Sequence, residues 1–157
     1  PASLQTLDFE GEYNESLQGA NLPESLQTLQ FGPGFNQSLQ GVNLPPSLQT
    51  LKFGNLFHQS LRGVNLPASL QTLDFEGRYD ESLQGVNLPA SLRALKFGCR
   101  RNAGRALRGV KLPASLQTLT APDALIDGSP LHALIMEIAM SCGRDRAGGR
   151  LKGGYRY

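Results

Sequence analysis

Apolar and polar positions alternate along this chain in a pattern that returns every 22 residues. In the first unit the apolar positions are Leu4, Leu7, Phe9, Tyr13, Leu17, Ala20 and Leu22. Leu7 and Phe9 alternate with Thr6 and Asp8, the period of two that a half-buried strand requires. The segment LQTLDF then recurs as LQTLQF, LQTLKF, LQTLDF and LRALKF. Leucines are expected to point inward and the residues between them to face solvent. The second half of the unit, Leu39-x-x-Val42-x-Leu44, has a similar spacing. Each turn is therefore expected to carry two short extended segments on opposite sides. Glycines (19, 41, 63, 85, 109) and the repeated prolines mark the corners between them. No stretch inside the turns has helical spacing long enough to predict a helix.

Near-identical units in tandem imply a solenoid, in which each turn buries its apolar face against the next. The first four turns run Pro1–Leu22, Pro23–Leu44, Pro45–Leu66 and Pro67–Leu88. The fifth, Pro89–Leu112, is two residues longer, and a sixth starts at Pro113 and dissolves after Thr120. The expected organisation is a mainly β solenoid over residues 1–120, a helical cap over 121–142 and a Gly/Arg-rich disordered tail over 143–157.

Phe35-Asn36-Gln37-Ser38-Leu39, followed by Leu44-Pro45, resembles the FNIP repeat, a 22-residue relative of the leucine-rich repeats. Tyr13-Asn14-Glu15-Ser16, Phe57-His58-Gln59-Ser60 and Tyr79-Asp80-Glu81-Ser82 are looser copies. The resemblance covers about residues 1–120 and implies a leucine-rich-repeat-like β-solenoid with a role in protein–protein interaction. It implies no catalytic residue and no cofactor. It also implies that the column Asn14, Asn36, His58, Asp80 hydrogen-bonds the backbone of neighbouring turns, as a polar ladder that satisfies loop N–H groups. Asn14 and Asn36 also match the N-glycosylation sequon, which reads as a by-product of the repeat. Turn five departs from the family pattern: Arg101-Asn102-Ala103-Gly104-Arg105 replaces the aromatic residue and the asparagine, and reads as a basic loop.

Register then predicts columns on the outer face of the strands, with neighbouring turns roughly 4.8 Å apart. One column is Gln5, Gln27, Gln49, Gln71, Arg93, Gln117. A second is Thr6, Thr28, Thr50, Thr72, Ala94, Thr118. A third is Asp8, Gln30, Lys52, Asp74, Lys96, Thr120, where Lys52, Asp74 and Lys96 alternate in sign.

Charge changes this uniform picture at one end. The net charge of +2 conceals an acidic excess before residue 93 and a basic excess after it. Between Ser82 and Pro122 there is no acidic residue, while Arg93, Lys96, Arg100, Arg101, Arg105, Arg108 and Lys111 all fall there. Such a cluster attracts anions. Insertions in solenoids map to loops that often form a binding face, so these seven residues are the candidate partner-binding set. The expected partner is a protein with an acidic surface. Nucleic acid, held by this patch and the Gly/Arg tail, is the alternative, although no nucleic-acid module signature is present.

Nothing points to catalysis or to a metal. His58 and His132 are the only histidines and have no obvious partner, and no phosphate-cradling loop precedes a helix. The two cysteines, Cys99 and Cys142, are too few for a disulfide scaffold. Unpaired thiols and a reducing, cytoplasmic location are expected. The longest apolar run, LHALIMEIAM, is too short to span a bilayer, which needs roughly 20 residues. Ser129-Pro130 ahead of it is a helix start, and a helix near 130–141 is expected to cap turn six. The chain opens inside a repeat and without methionine, so a fragment of a longer protein is expected. An exposed first turn could stack end to end on a second copy.

Overall fold

The computed structural model describes residues 3–98 and 100–121, with the backbone alone for residues 100–102. Six strands form one parallel sheet in chain order. They are β1 (Thr6–Phe9), β2 (Thr28–Phe31), β3 (Thr50–Phe53), β4 (Thr72–Phe75), β5 (Ala94–Phe97) and β6 (Thr118–Thr120). One helix, α1 (Arg100–Ala106), stands between β5 and β6. Equivalent repeat positions pair directly: Thr6 with Thr28, Thr28 with Thr50, Thr50 with Thr72, Thr72 with Ala94, and Ala94 with Thr118. The sequence period and the strand register are thus one fact, and the chain is a β-solenoid.

In β2 to β5 the second and fourth residues are buried and the others half-exposed. Each strand is entered the same way. The N–H groups of Gln27 and Thr28 both donate to the Gln5 carbonyl, at 2.8 and 2.9 Å, and this forked bond recurs up to Gln117 and Thr118 on Arg93. A serine bolts the corner before it: Ser69 Oγ donates to the Leu48 carbonyl and Ser91 Oγ to the Leu70 carbonyl, each at 2.6 Å.

The core contains two columns of aromatic rings. Phe9, Phe31, Phe53, Phe75 and Phe97 stack between turns at 5.4–5.6 Å. Tyr13, Phe35, Phe57 and Tyr79 stack beside them at 5.9–6.3 Å. Within a turn the two columns meet more closely, at 3.8 Å for Phe31–Phe35 and for Phe53–Phe57. Aromatic pairs contribute roughly 0.5–1.5 kcal/mol beyond the area they bury.

Two expectations are corrected. The Leu39–Leu44 segment and its counterparts form no strand; β1 to β6 are the strands among the described residues. The Val42 N–H closes a tight turn on the Leu39 carbonyl at 3.1 Å, and Gly41 sits at φ 75°. A donor used inside its own turn cannot join a ladder to the next one. The basic insertion of turn five is not a loop but α1. At the position where earlier turns carry their second ring, α1 buries the small side chains of Ala103 and Ala106, and Leu107 after it continues the buried leucine column of Leu17, Leu39, Leu61 and Leu83. The Leu83 N–H donates to the Ala106 carbonyl at 2.9 Å, which ties α1 to turn four.

The expected helix near 130–141, the tail over 143–157 and the state of Cys99 and Cys142 lie outside the described residues.

Candidate interaction surface

The polar column beside the second ring column forms a ladder. Asn14 Oδ1 accepts the Asn36 backbone N–H at 2.8 Å, and Asn36 Oδ1 accepts the His58 N–H at 2.9 Å. The Gln37 and Gln59 side chains donate to the same oxygens at 3.2 Å. These side chains are occupied in holding turns together, which leaves them little to offer a partner.

The column changes character at His58. Its Nδ1 lies 3.4 Å from Asp80 Oδ1, and Asp80 Oδ2 lies 3.8 Å from Arg105 Nη1 on α1. His58 therefore has a partner, contrary to the sequence reading, because its neighbour in the stack is one full turn away in the chain. No group of three or more His, Cys, Asp or Glu side chains suited to a metal occurs among the described residues.

On the outer face of the sheet the predicted charge column is real but wired differently. Lys96 Nζ lies 3.5 Å from Asp74, as sign alternation suggests. Lys52, however, reaches Glu76 at 2.6 Å. That hydrogen bond holds the Lys52 ammonium above its ordinary value against the partial burial that would lower it, with Asp74 and Asp8 adding to the same effect.

The seven candidate cations all fall within turn five. Arg93 stands just before β5 and Lys96 within it; Arg105 is on α1; Arg108 and Lys111 follow on the return side of the turn. For Arg100 and Arg101 the structure gives only the backbone, at the start of α1. Arg93, Lys96, Arg105, Arg108 and Lys111, whose side chains are described, thus run as a belt along turn five. The belt is also partly neutralised. Asp74 of turn four sits against Lys96, as the column predicts, and Asp80 sits against Arg105, although residues 82–122 hold no acidic side chain. Arg93, Arg108 and Lys111 are exposed and make no ion pair among the described residues.

Sequence reasoning passed over Leu56, the one large apolar side chain left exposed (53%) among the described residues. Its corner position carries Glu12, Gly34 and Arg78 in other turns, so no column pattern singles it out. No described helix is long and apolar enough to cross a membrane.

Comparison with known proteins agrees with the geometry. The model of the family described as FNIP Repeat matches residues 13–56, 35–77 and 57–100, which together span more than half of the chain. A solved structure described as that of CroV588, a novel circular LRR protein, superposes with a TM-score of 0.67 at 32% sequence identity. The match covers 76% of this chain and 17% of that one, so the present sequence spans about a sixth of that protein. No curated protein matches.

Proposed function

Since the chain belongs to the FNIP repeat family, we propose that it is a non-catalytic scaffold that binds another protein, with turn five as the docking point. One observation carries this reading. The asparagine ladder of the first turns is occupied in holding the stack together, whereas turn five breaks the repeat with α1 and presents Arg93, Arg108 and Lys111 exposed and without an ion pair among the described residues. A surface of exposed guanidinium and ammonium groups favours an acidic protein partner through charge complementarity, which governs encounter rate and specificity more than raw affinity.

The test is capture from a nuclease-treated lysate at low and at high salt, by the native chain and by an Arg93→Ala/Arg108→Ala/Lys111→Ala form. A defined protein held by the native chain and released by the triple substitution supports the reading. Equal retention by both forms removes turn five as the docking point. Nucleic acid as the only ligand, bound before nuclease treatment and shed with salt, transfers the site to the anion-binding alternative.

A further inference from the structure

We propose that the apolar stretch Leu131–Met140 covers the open end of turn six. The inward leucines Leu29, Leu51, Leu73 and Leu95 are completely buried because a turn stacks on each side of them. Their counterpart in β6, Leu119, is only half-buried, and so is Ala121. β6 is the last strand of the sheet among the described residues, so one of its edges is unpaired there. An unpaired edge beside half-exposed core leucine is where a solenoid needs cover, and where an uncovered one recruits another chain.

The chain supplies its own candidate. Leu131, Leu134, Ile135, Ile138 and Met140 lie in LHALIMEIAM, which starts ten residues after Ala121. A connection of that length reaches up to about 33 Å, well beyond the roughly 4.8 Å step from one turn to the next. Left in water, these side chains would keep a large apolar area exposed, which cover over the end of turn six removes. The end of turn six is the nearest core surface to which the connection leads; the turn-one end is five strand spacings away. With that end covered, neither a partner nor a second copy can add a strand to β6, and recognition is left to the lateral surfaces.

The chain contains no tryptophan, so one introduced there reports alone. In the full-length chain, Ile135→Trp is expected to give blue-shifted emission with low acrylamide quenching. Adding Leu119→Asp to that form is expected to shift the emission to the red and raise the quenching severalfold, while circular dichroism shows the solenoid still folded. Emission of a solvated indole in Ile135→Trp alone overturns the proposal. So does a shielded indole that ignores Leu119→Asp, since the stretch would then be packed elsewhere. Should the double form not fold, Leu119→Ala, which only trims the contact, is read by the same two outcomes.

Discussion

The side-chain oxygen of Asn36 accepts the backbone N–H of His58 at 2.9 Å, one full turn further along the chain. The same oxygen takes the Gln59 side-chain N–H. Removing it leaves a part-buried backbone donor without its acceptor. Asn36→Ala should therefore cost about 1–2 kcal/mol, measured as a lowered urea midpoint by circular dichroism. Asn36→Asp keeps an acceptor in the same place and should retain most of the stability. Asn14→Ala should cost less than Asn36→Ala, because the bond it breaks is exposed.

Phe53 sits at the centre of the ring columns. It meets Phe31 at 5.6 Å, Phe75 at 5.5 Å and Phe57 at 3.8 Å, and none of its surface is exposed. Phe53→Ala opens a cavity that three rigid neighbours cannot close, so a loss of about 3–5 kcal/mol is expected. Phe9, at the end of the same column, is only half-buried, and Phe9→Ala should cost clearly less. Comparable losses at the two positions in thermal melts would mean that the columns do not stabilise through stacking between turns.

How far these features could be read from the sequence depends on where the interacting partners lie. The strand register follows directly from the 22-residue period, because in-phase stacking places equal positions side by side. The inward leucines follow for the same reason, and the asparagine ladder follows from the resemblance to the leucine-rich repeats. Helix α1 was not legible. It is one short stretch, contains Gly104, and stands where the second ring of earlier turns is missing, with Ala103 and Ala106 buried, which is a tertiary fact. The apparent second strand failed because periodicity cannot tell whether the Val42 N–H bonds to Leu39 within its own turn or across to the next. The Asp74–Lys96 pair was legible in the charge column, but the Asp80–Arg105 contact was not, because it depends on α1 bringing Arg105 beside turn four.

Tyr79 carries the one buried side-chain polar atom among the described residues that lacks a hydrogen bond of normal geometry, its hydroxyl. Burial pushes this phenol well above its ordinary value of 10.0; Glu81 adds to the shift and the nearby Leu61 backbone opposes it. The folded state thus holds the proton more tightly than the unfolded chain. The resulting stability is present below about pH 10 and is lost as pH rises beyond it. Tyr79→Phe matches Phe35 and Phe57 in the same column and removes an unsatisfied group, so it should raise neutral-pH stability by about 1 kcal/mol. It should also flatten the decline in urea midpoint above pH 10. A lower midpoint at neutral pH would show that the hydroxyl has a partner in solution.

Two kinds of glycine should respond differently to alanine. A Cβ on Gly54 would lie 2.3 Å from the carbonyl oxygen of Gly32 and 2.5 Å from its carbon, both backbone atoms that cannot swing aside. Gly54→Ala must push two turns apart, at about 1–3 kcal/mol. A Cβ on Gly63 would meet nothing within 4 Å, but φ there is 79°. Gly63→Ala should cost about 1–2 kcal/mol through backbone strain alone, and Gly63→Asn less, since asparagine tolerates that region. Equal costs for Gly63→Ala and Gly63→Asn would count against strain as the cause.

Neutralising the acidic residues of turn four should strengthen the turn-five belt rather than weaken the fold. Asp80 faces Arg105 across a largely solvated pair, and Asp74, itself 17% exposed, faces the more exposed Lys96 at 3.5 Å; ion pairs near the surface stabilise little and are screened by salt. Asp74→Asn with Asp80→Asn therefore leaves the melting temperature nearly unchanged, but frees two cations to join Arg93, Arg108 and Lys111. The double form should elute from an immobilised polyanion at higher salt than the native chain. Charge removed elsewhere gives the control: Asp8→Asn with Glu10→Asn alters net charge equally but lies four strands away from β5. If both double forms shift elution to the same extent, retention follows net charge alone and the belt is not a local site. A larger shift for the turn-four form places the anion contact at turn five, where the repeat is interrupted.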